Sequence, residues 1–168
     1  QDITLVTALA TSFGCSIEGA VNEARVTQIA EFLANVGIDE INLADTVGYG
    51  DPMQVRRIFT DVRTAVGELP LAAHFHDTRG LGLANVMAAL DAGIRRFDSA
   101  LGGLGGCPFA PGASGNIATE DTLHLFDRLG VDTGINLRDL LEVRRQLDEW
   151  LPEEKLEGRL LGAGPANR

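Results

Sequence analysis

Two histidines separated by a single residue are the clearest candidates for chemistry in this chain. His74 and His76 flank Phe75 near the end of an apolar segment. Because side chains alternate between the two faces of a strand, a strand at this position would direct both imidazoles to the same side. Two neutral imidazoles on one face can bind a metal ion together. The alternative is a pair of histidines that line the fold and hydrogen-bond to water.

A glycine-rich stretch over residues 101–121 holds two further candidates. Its sequence, LGGLGGCPFAPGASGNIATED, contains six glycines and two prolines, so neither a helix nor a strand can run through its middle. Within it, Cys107 is either a thiol that donates a proton from a mobile loop or a small residue that fits a tight turn. Asn116 offers an amide oxygen. Functional residues commonly lie on loops between a strand and a helix, and the alternative is a flexible connector.

Asp45 and Arg79 follow two other predicted strands. The Asp45 carboxylate either orients a ligand or a metal-bound water, or closes the loop that follows its strand. Arg79 carries a fixed positive charge, which either binds an anionic group of a substrate or pairs with a neighbouring acid. We expect Cys15 to be structural, and His124 to lie on the surface or in the packing of a helix.

The apolar periodicity predicts the strands and helices that would position these residues. The predicted strands cover residues 3–9, 38–44, 69–75 and 94–101, and the predicted helices cover about residues 26–36, 52–66, 83–90, 119–129 and 137–150. Thr119 is predicted to cap the fourth helix, and the chain after Pro152 is expected to fray. Four strand–helix units in succession indicate parallel strands joined by right-handed crossovers.

The repeated units predict an α/β fold of the TIM-barrel (β/α)8 type. A complete barrel takes roughly 250 residues, so the 168 residues of this chain amount to about half of one. Active sites of such barrels lie at the carboxyl ends of the strands, which is where the candidate residues fall. A doubly wound open sheet is the alternative, but the glycine-rich phosphate motif expected after its first strand is missing.

The composition limits the partners and the compartment. The net charge of −10 argues against a nucleic-acid partner, which needs a basic surface. No apolar run approaches the length of a membrane span, so no membrane partner is expected. Two cysteines fit a reducing compartment, and we expect a cytoplasmic protein or one from the mitochondrial matrix. Because the chain begins with Gln1 and not Met, and a strand is predicted from residue 3, we also expect it to be a fragment without a leader.

One motif resembles the signature loop of hydroxymethylglutaryl-CoA lyases, and a second is similar to the metal motif of the wider family of metal-dependent aldol-type lyases and Claisen-type synthases. The first is GLGGCPF, followed by GASGN and ATED, in the glycine-rich stretch, and the second is HFHDT at the histidine pair. The resemblance covers most of the chain to about residue 150. It implies that residues 1–151 are the C-terminal half of a (β/α)8 barrel, with about four strand–helix units and a terminal helix, and that residues 152–168 are a tail.

The resemblance also implies an active site. His74, His76 and Asn116 would bind the metal ion, and imidazole, amide and water ligands together favour Mg²⁺ or Mn²⁺ over zinc. In catalysis, Cys107 would act as the acid and His74 or Asp45 as the base. Arg79, Gly105 and Gly106 would bind the substrate. In two respects the chain departs from the family: Arg79 replaces an aromatic residue, and the family's metal-binding Asp belongs to a first barrel strand that is not in this chain.

The implied reaction is a metal-assisted retro-Claisen cleavage of 3-hydroxy-3-methylglutaryl-CoA to acetyl-CoA and acetoacetate, a step of leucine degradation and ketone-body formation. The implied partners are an acyl-CoA substrate and either the missing N-terminal half-barrel or a second copy of the chain. Two alternatives stay open. One is a catalytically incomplete fragment with residual metal binding, and the other is a related aldolase or Claisen synthase, against which the Cys107 motif argues.

Overall fold

Four parallel strands form one sheet in which each strand pairs with the next along the chain. The computed structural model describes residues 3–106 and 115–165. The strands are β1 (Val6–Leu9), β2 (Glu40–Asp45), β3 (Leu71–Phe75) and β4 (Phe97–Asp98). The helices are α1 (Glu23–Asn35), α2 (Pro52–Val66), α3 (Gly82–Asp91), α4 (Thr119–Arg128), α5 (Leu137–Trp150) and α6 (Leu160–Ala163), with a 3-10 turn at Leu101–Gly103. This strand order confirms the predicted barrel-type α/β fold, because a doubly wound sheet reverses its order at a switch point.

The two faces of the sheet carry different kinds of side chain. The face that we call outer packs in the hydrophobic core, and its buried residues include Ile41, Leu43, Leu71, Ala73 and Phe75. The opposite face, which we call inner, carries Asn42, Ala44, Ala72, His74 and Asp98. Because consecutive residues of a strand point to opposite faces, the large apolar side chains pack against the helices, and polar side chains and alanines are left on the inner face.

Side-chain caps and apolar faces explain where the helices lie. Asn22, Asp51 and Asn136 accept hydrogen bonds from the first-turn N–H groups of α1, α2 and α5. Helices α2 and α5 have the bounds that the sequence predicts, and the predicted apolar face of α2 is buried in the core. Within residues 3–106 and 115–165, no helix combines the length and the apolar character that crossing a membrane requires.

The fourth strand is shorter than predicted. The sequence predicts a strand over residues 94–101, but β4 pairs with β3 only at Phe97 and Asp98. Ile94 is buried in the core, and the backbone after β4 bonds to the segment that returns from the glycine-rich stretch. There the Ala100 N–H donates to the Ile117 carbonyl (3.2 Å), and the Thr119 N–H donates to the Ala100 carbonyl (2.9 Å). The returning segment thus takes the hydrogen bonds that a longer β4 would use.

Two expectations about the C-terminal part of the chain are wrong. The cap residue of α4 is Ala118 and not Thr119, whose hydroxyl instead lies 2.8 Å from that of Ser99. The chain after Pro152 does not fray throughout, because the N–H groups of residues 159 and 160 donate to the Asp121 carboxylate and Leu160 is buried. An acid in the first turn of α4 therefore holds the tail against the helix. The predicted domain boundary at residue 151 stays a prediction.

Candidate metal centre

The two candidate histidines lie side by side on the inner face at the carboxyl end of β3. Their Nε2 atoms are 3.2 Å apart, and their ring centroids are 5.2 Å apart. His76 is buried, and His74 is partly exposed. Two neighbouring nitrogen ligands, each about 2.1 Å from a metal ion, lie about 3 Å from each other. The pair therefore has the spacing of two ligands of one cation.

The environment of His76 favours its neutral form. Burial, and then the positive charge that His74 can carry, lower the pKa of His76 from 6.5 to about 4. The imidazole is consequently neutral at physiological pH, and neutral imidazole is the form that binds metal ions. Among the described residues, its Nδ1 has no hydrogen-bond partner.

Asn116 lies beside His76, and its amide oxygen has no partner. The two residues form an antiparallel bridge, in which directly opposite side chains lie close together. The Asn116 amide group donates to the carbonyl oxygens of Leu104 (2.6 Å) and Gly105 (3.3 Å). Its Oδ1 atom is buried and accepts no hydrogen bond from any described residue. Because an unpaired buried oxygen is unfavourable, this atom is available to a ligand.

The glycines around Asn116 allow two backbone segments to approach closely. A Cβ atom on Gly115 would lie 2.2 Å from the Gly103 carbonyl oxygen, and its φ of +99° also favours glycine. A Cβ atom on Gly105 would lie 2.9 Å from the Asn116 amide nitrogen. Gly105 and Gly106 are exposed. Cys107 lies outside the described residues, so its role as an acid stays a prediction.

Asp45 lies on the other side of the sheet from the histidine pair. It is fully buried on the outer face, where it pairs in register with Phe75. Its carboxylate accepts hydrogen bonds from the N–H groups of Tyr49 (2.8 Å) and Gly50 (2.9 Å). Burial raises the pKa of Asp45, and these backbone hydrogen bonds oppose the increase. The geometry favours the role of closing the loop after β2 over the role of a base at the inner face.

Arg79 contacts the loop after β2 that Asp45 also contacts. Its guanidinium donates to the carbonyl oxygens of Val47 (2.8 Å) and Gly48 (3.4 Å). It also lies 4.4 Å from the centre of the Tyr49 ring, within the range of a cation–π interaction. These contacts give the Arg79 guanidinium a structural role in the loop after β2, and its predicted contact with substrate stays a prediction.

A buried ion pair supports the base of the glycine-rich stretch. Arg144 on α5 donates to Glu120 on α4 (2.9 Å) and to Asp148 (2.6 Å). The second oxygen of Glu120 accepts the N–H of Gly102 (3.1 Å), and the Glu157 N–H donates to the Gly102 carbonyl (2.6 Å). The sequence analysis missed this network, because neither helical pattern indicates that a charged residue points inward.

Asp98 and Asn42 are two further polar residues of the inner face that the sequence analysis missed. The Asp98 carboxylate accepts a hydrogen bond from the Asn42 amide, and it lies 3.5 Å from Nδ1 of His74. A sequence signal was present for Asn42, which is polar within an otherwise apolar strand segment, but not for Asp98, whose segment also contains Arg95, Arg96 and Ser99. Among the described residues, no three His, Cys, Asp or Glu side chains converge as a metal site. The candidate donors among the described residues are two imidazoles and one amide oxygen.

A cavity of about 470 Å³ opens next to Asn116. Its lining includes Thr78, Leu83, Asp121 and Arg159, so α3, α4 and the docked tail all contribute to it. The Thr78 hydroxyl is buried and has no hydrogen-bond partner in the described residues. The site is thus adjacent to a space that is large enough for part of a small-molecule ligand.

Comparisons with known proteins agree on one family. The model of the HMGL-like family matches residues 2–147. The (R)-citramalyl-CoA lyase of Chloroflexus aurantiacus is 46% identical over 149 residues, which are 89% of this chain and 46% of that protein. The hydroxymethylglutaryl-CoA lyase of Pseudomonas mevalonii is 47% identical over 130 residues, which are 77% of this chain and 43% of that protein.

A solved structure gives the same result for the fold. The structure of an HMG-CoA lyase from Acinetobacter baumannii in complex with coenzyme A and 3-methylmalate superposes with a TM-score of 0.91 at 46% identity. The match covers 96% of this chain and 53% of the other. The chain spans about half the length of the curated relatives that it matches.

Proposed function

The chain belongs to the HMGL-like family, and from this premise we propose that it carries the metal-binding half of a carbon–carbon lyase active site. The proposed substrate is a coenzyme A thioester of the 3-hydroxy-3-methylglutaryl type, and the proposed products are acetyl-CoA and acetoacetate. The relatives named as lyases, and the related structure with coenzyme A, support this assignment.

The observation that carries the proposal is the arrangement of three potential donor groups, which are two adjacent imidazoles on the inner face and an amide on the residue that bridges to His76. The Nε2 atoms of His74 and His76 lie 3.2 Å apart, and the buried Oδ1 of Asn116 lacks a partner among the described residues. Two imidazoles, an amide oxygen and water suit six-coordinate Mg²⁺ or Mn²⁺ better than tetrahedral zinc. When bound there, such a cation acts as a Lewis acid that lowers the pKa of the substrate hydroxyl.

The cleavage needs a base to accept the hydroxyl proton. Two residues were predicted as the base. Asp45 is directed to the outer face, so His74 is the one of the two that lies on the inner face. Nε2 of His74 can hold either that proton or a cation, but not both at once. For the metal-loaded protein we therefore propose a base on the half of the barrel that lies outside these 168 residues.

Cys107 is the proposed acid. As the carbon–carbon bond breaks, its electron pair passes to the thioester enolate and the carbinol carbon becomes the ketone. The Cys107 thiol then donates its proton to the enolate carbon, which completes acetyl-CoA. Leu104 and Gly105, which precede Cys107 in the sequence, accept hydrogen bonds from Asn116. The chain segment that leads to Cys107 therefore starts next to the proposed site. Gly105, Gly106 and Arg79 are proposed to contact the substrate.

The proposed partner is a second half-barrel. The chain spans about half of its curated relatives, and the family resemblance implies a metal-binding Asp on a strand outside this chain. An N-terminal half of the same family would supply that strand, whereas a second copy of this chain would cover the sheet without supplying the Asp. A cytoplasmic or mitochondrial-matrix location is proposed on the basis of composition.

The test combines metal binding with catalysis. Mn²⁺ is titrated into the chain, and cleavage is then measured with and without the N-terminal half of the related Acinetobacter baumannii lyase. We expect His76→Ala to abolish Mn²⁺ binding, and cleavage to require the added half. Cys107→Ala is expected to reduce cleavage without changing Mn²⁺ binding. Cys15→Ala, at a free cysteine of another loop, is the matched control and should change neither.

Two other outcomes would replace the proposal. Mn²⁺ binding without turnover in any combination would identify a catalytically incomplete domain, and turnover only in the bond-forming direction would identify a synthase.

The similarity to (R)-citramalyl-CoA lyase also favours a second substrate with the same 3-hydroxy-3-methyl centre. Release of pyruvate from citramalyl-CoA, compared with release of acetoacetate from the glutaryl thioester, decides between the two acyl groups.

A further inference from the structure

We propose that Asp98 is a positioning residue that sets the tautomer and the orientation of His74. Its carboxylate would accept the hydrogen from Nδ1 of His74 and so leave the lone pair of Nε2 directed at the cation site. The part of this inference that concerns the cation rests on the proposed function. The part that concerns the imidazole stands on the geometry of the inner face.

The strand register brings the two side chains together. His74 on β3 and Asp98 on β4 are direct partners, so their side chains leave the same face at the same level. Oδ2 of Asp98 lies 3.5 Å from Nδ1 of His74, on the other side of the ring from the Nε2 atom that approaches His76. The proposed hydrogen bond requires this separation to shorten by a few tenths of an ångström.

Asn42 holds the carboxylate in place. Its amide donates to the same Oδ2 atom of Asp98, although β3 lies between their strands. The β3 residue in register with Asn42 is Ala72, whose methyl group leaves room for the two longer side chains to meet above it. Asn42 is buried, so the contact is made by a side chain with restricted freedom.

The chemistry of imidazole explains why this contact matters. A neutral imidazole carries one proton, and the hydrogen bond made by one ring nitrogen determines whether the other is free to bind a metal. Metal-binding histidines generally donate their second N–H to a carboxylate or a carbonyl, which fixes the ring and raises its basicity. For His74, Asp98 is the carboxylate that the described residues place next to Nδ1.

The first measurement needs no metal. Nitrogen-15 NMR of the imidazoles at about pH 8, where an ordinary imidazole is neutral, reports which nitrogen carries the proton. We expect the Nδ1–H form of His74 to dominate in the wild-type chain and to be lost in Asp98→Ala. Asp98→Asn keeps an acceptor oxygen and should retain much of the wild-type tautomer. Asn42→Ala, which releases the carboxylate, should give an intermediate result.

The second measurement is Mn²⁺ affinity by electron paramagnetic resonance. We expect Asp98→Ala to weaken Mn²⁺ binding by about 10- to 100-fold, in line with other carboxylates that support a metal-binding histidine. The matched control is Asp91→Ala. The side chains of Asp91 and Asp98 are both 54% exposed, but Asp91 lies on α3 and pairs with Arg56 instead of a histidine. Asp91→Ala should leave the affinity unchanged.

Each contrary result has a distinct meaning. The same His74 tautomer in the wild type and in Asp98→Ala, or equal losses of affinity in Asp98→Ala and Asp91→Ala, would overturn the inference. A wild-type chain that binds no Mn²⁺ would count against the proposed function instead. In that case the tautomer measurement alone decides the part played by Asp98.

Discussion

His74 and Asp45 lie on neighbouring strands, yet their side chains point to opposite faces of the sheet. Ala44, and not Asp45, is the register partner of His74. One position along a strand therefore separates a residue that lies in the inner-face site from one that is buried among helices. This difference places the histidines on the face of the proposed metal site and the carboxylate in the loop after β2.

The pKa of His76 predicts how the unfolding free energy changes with pH. Its folded-state pKa of about 4 lies below the ordinary value of 6.5. Between these two pH values the unfolded chain takes up a proton that folded His76 does not, so the contribution of this residue to stability is lost as the pH falls from about 6.5 to about 4. Urea unfolding in metal-free buffer over this range measures the effect.

The matched variant is His76→Gln, which cannot titrate. We expect the wild type to lose more unfolding free energy than His76→Gln as the pH is lowered from 6.5 to 4, and the two curves to run parallel above 6.5. Curves that stay parallel through the whole interval would show that His76 is protonated normally in the folded chain.

At the scale of elements, three segments distant in sequence converge at the base of the glycine-rich stretch. Helices α4 and α5 contribute the Glu120–Arg144 pair, and the docked tail contributes the Glu157 backbone. Glu120 accepts the N–H of Gly102 at the base of the glycine-rich stretch, and Arg144 donates to the Glu157 carbonyl in the tail. The network thus links the tail to the loop that precedes Cys107.

Removal of Arg144 is expected to destabilise the fold strongly. In Arg144→Met the carboxylate of Glu120 stays buried without its partner, and breaking a buried ion pair in this way costs about 3–5 kcal/mol of unfolding free energy. The side chain of Arg144 is only 4% exposed, and that of Glu120 is fully buried. Chemical denaturation provides the measurement.

The adjacent Arg145 is the natural control. Its side chain is 53% exposed and pairs with Glu142 on the surface of α5. Arg145→Met should therefore cost about 0–1 kcal/mol. The double variant Glu120→Gln with Arg144→Met should recover part of the loss, because no buried charge remains. Equal losses in the two single arginine variants would contradict the structural role of the pair.

At the scale of the whole molecule, the sheet has an open apolar edge. Within residues 3–106 and 115–165, β1 pairs with β2 alone. Val6 on β1, together with the preceding Ile3 and Leu5, is largely exposed. Unpaired strand edges with apolar side chains tend to pair with another chain. This edge is the expected contact surface for a second half-barrel.

We accordingly expect the chain by itself to associate as its concentration rises. Val6→Lys places a charge on the edge and should reduce the average mass measured by sedimentation velocity. Val143→Lys on α5 is the control, because Val143 is also exposed (44%, compared with 57% for Val6) but lies on a helix. A mass that is independent of concentration, or equal effects of both substitutions, would rule out association through β1.

Much of the fold could be predicted because it follows from local periodicity. The apolar spacing of α2 and α5 predicted their bounds, and the alternation around Phe75 predicted that the two imidazoles share a face. Errors arose where long-range pairing overrides a local pattern. β4 is short because the segment at Ile117 takes its backbone hydrogen bonds, and the tail is ordered because Asp121 accepts its N–H groups.

The sequence by itself determined the parallel strand–helix order, the histidine pair and the glycine-rich stretch, since residue type and spacing along the chain are sufficient to specify each of them. Only the tertiary structure decided that Asp98 stands next to Nδ1 of His74, that Asp45 is turned away, and that Glu120 meets Arg144. The physical reason is that such contacts depend on strand register and on the packing of helices. Neither is encoded in a short window of residues, because both arise when segments distant in the chain bury their apolar faces together.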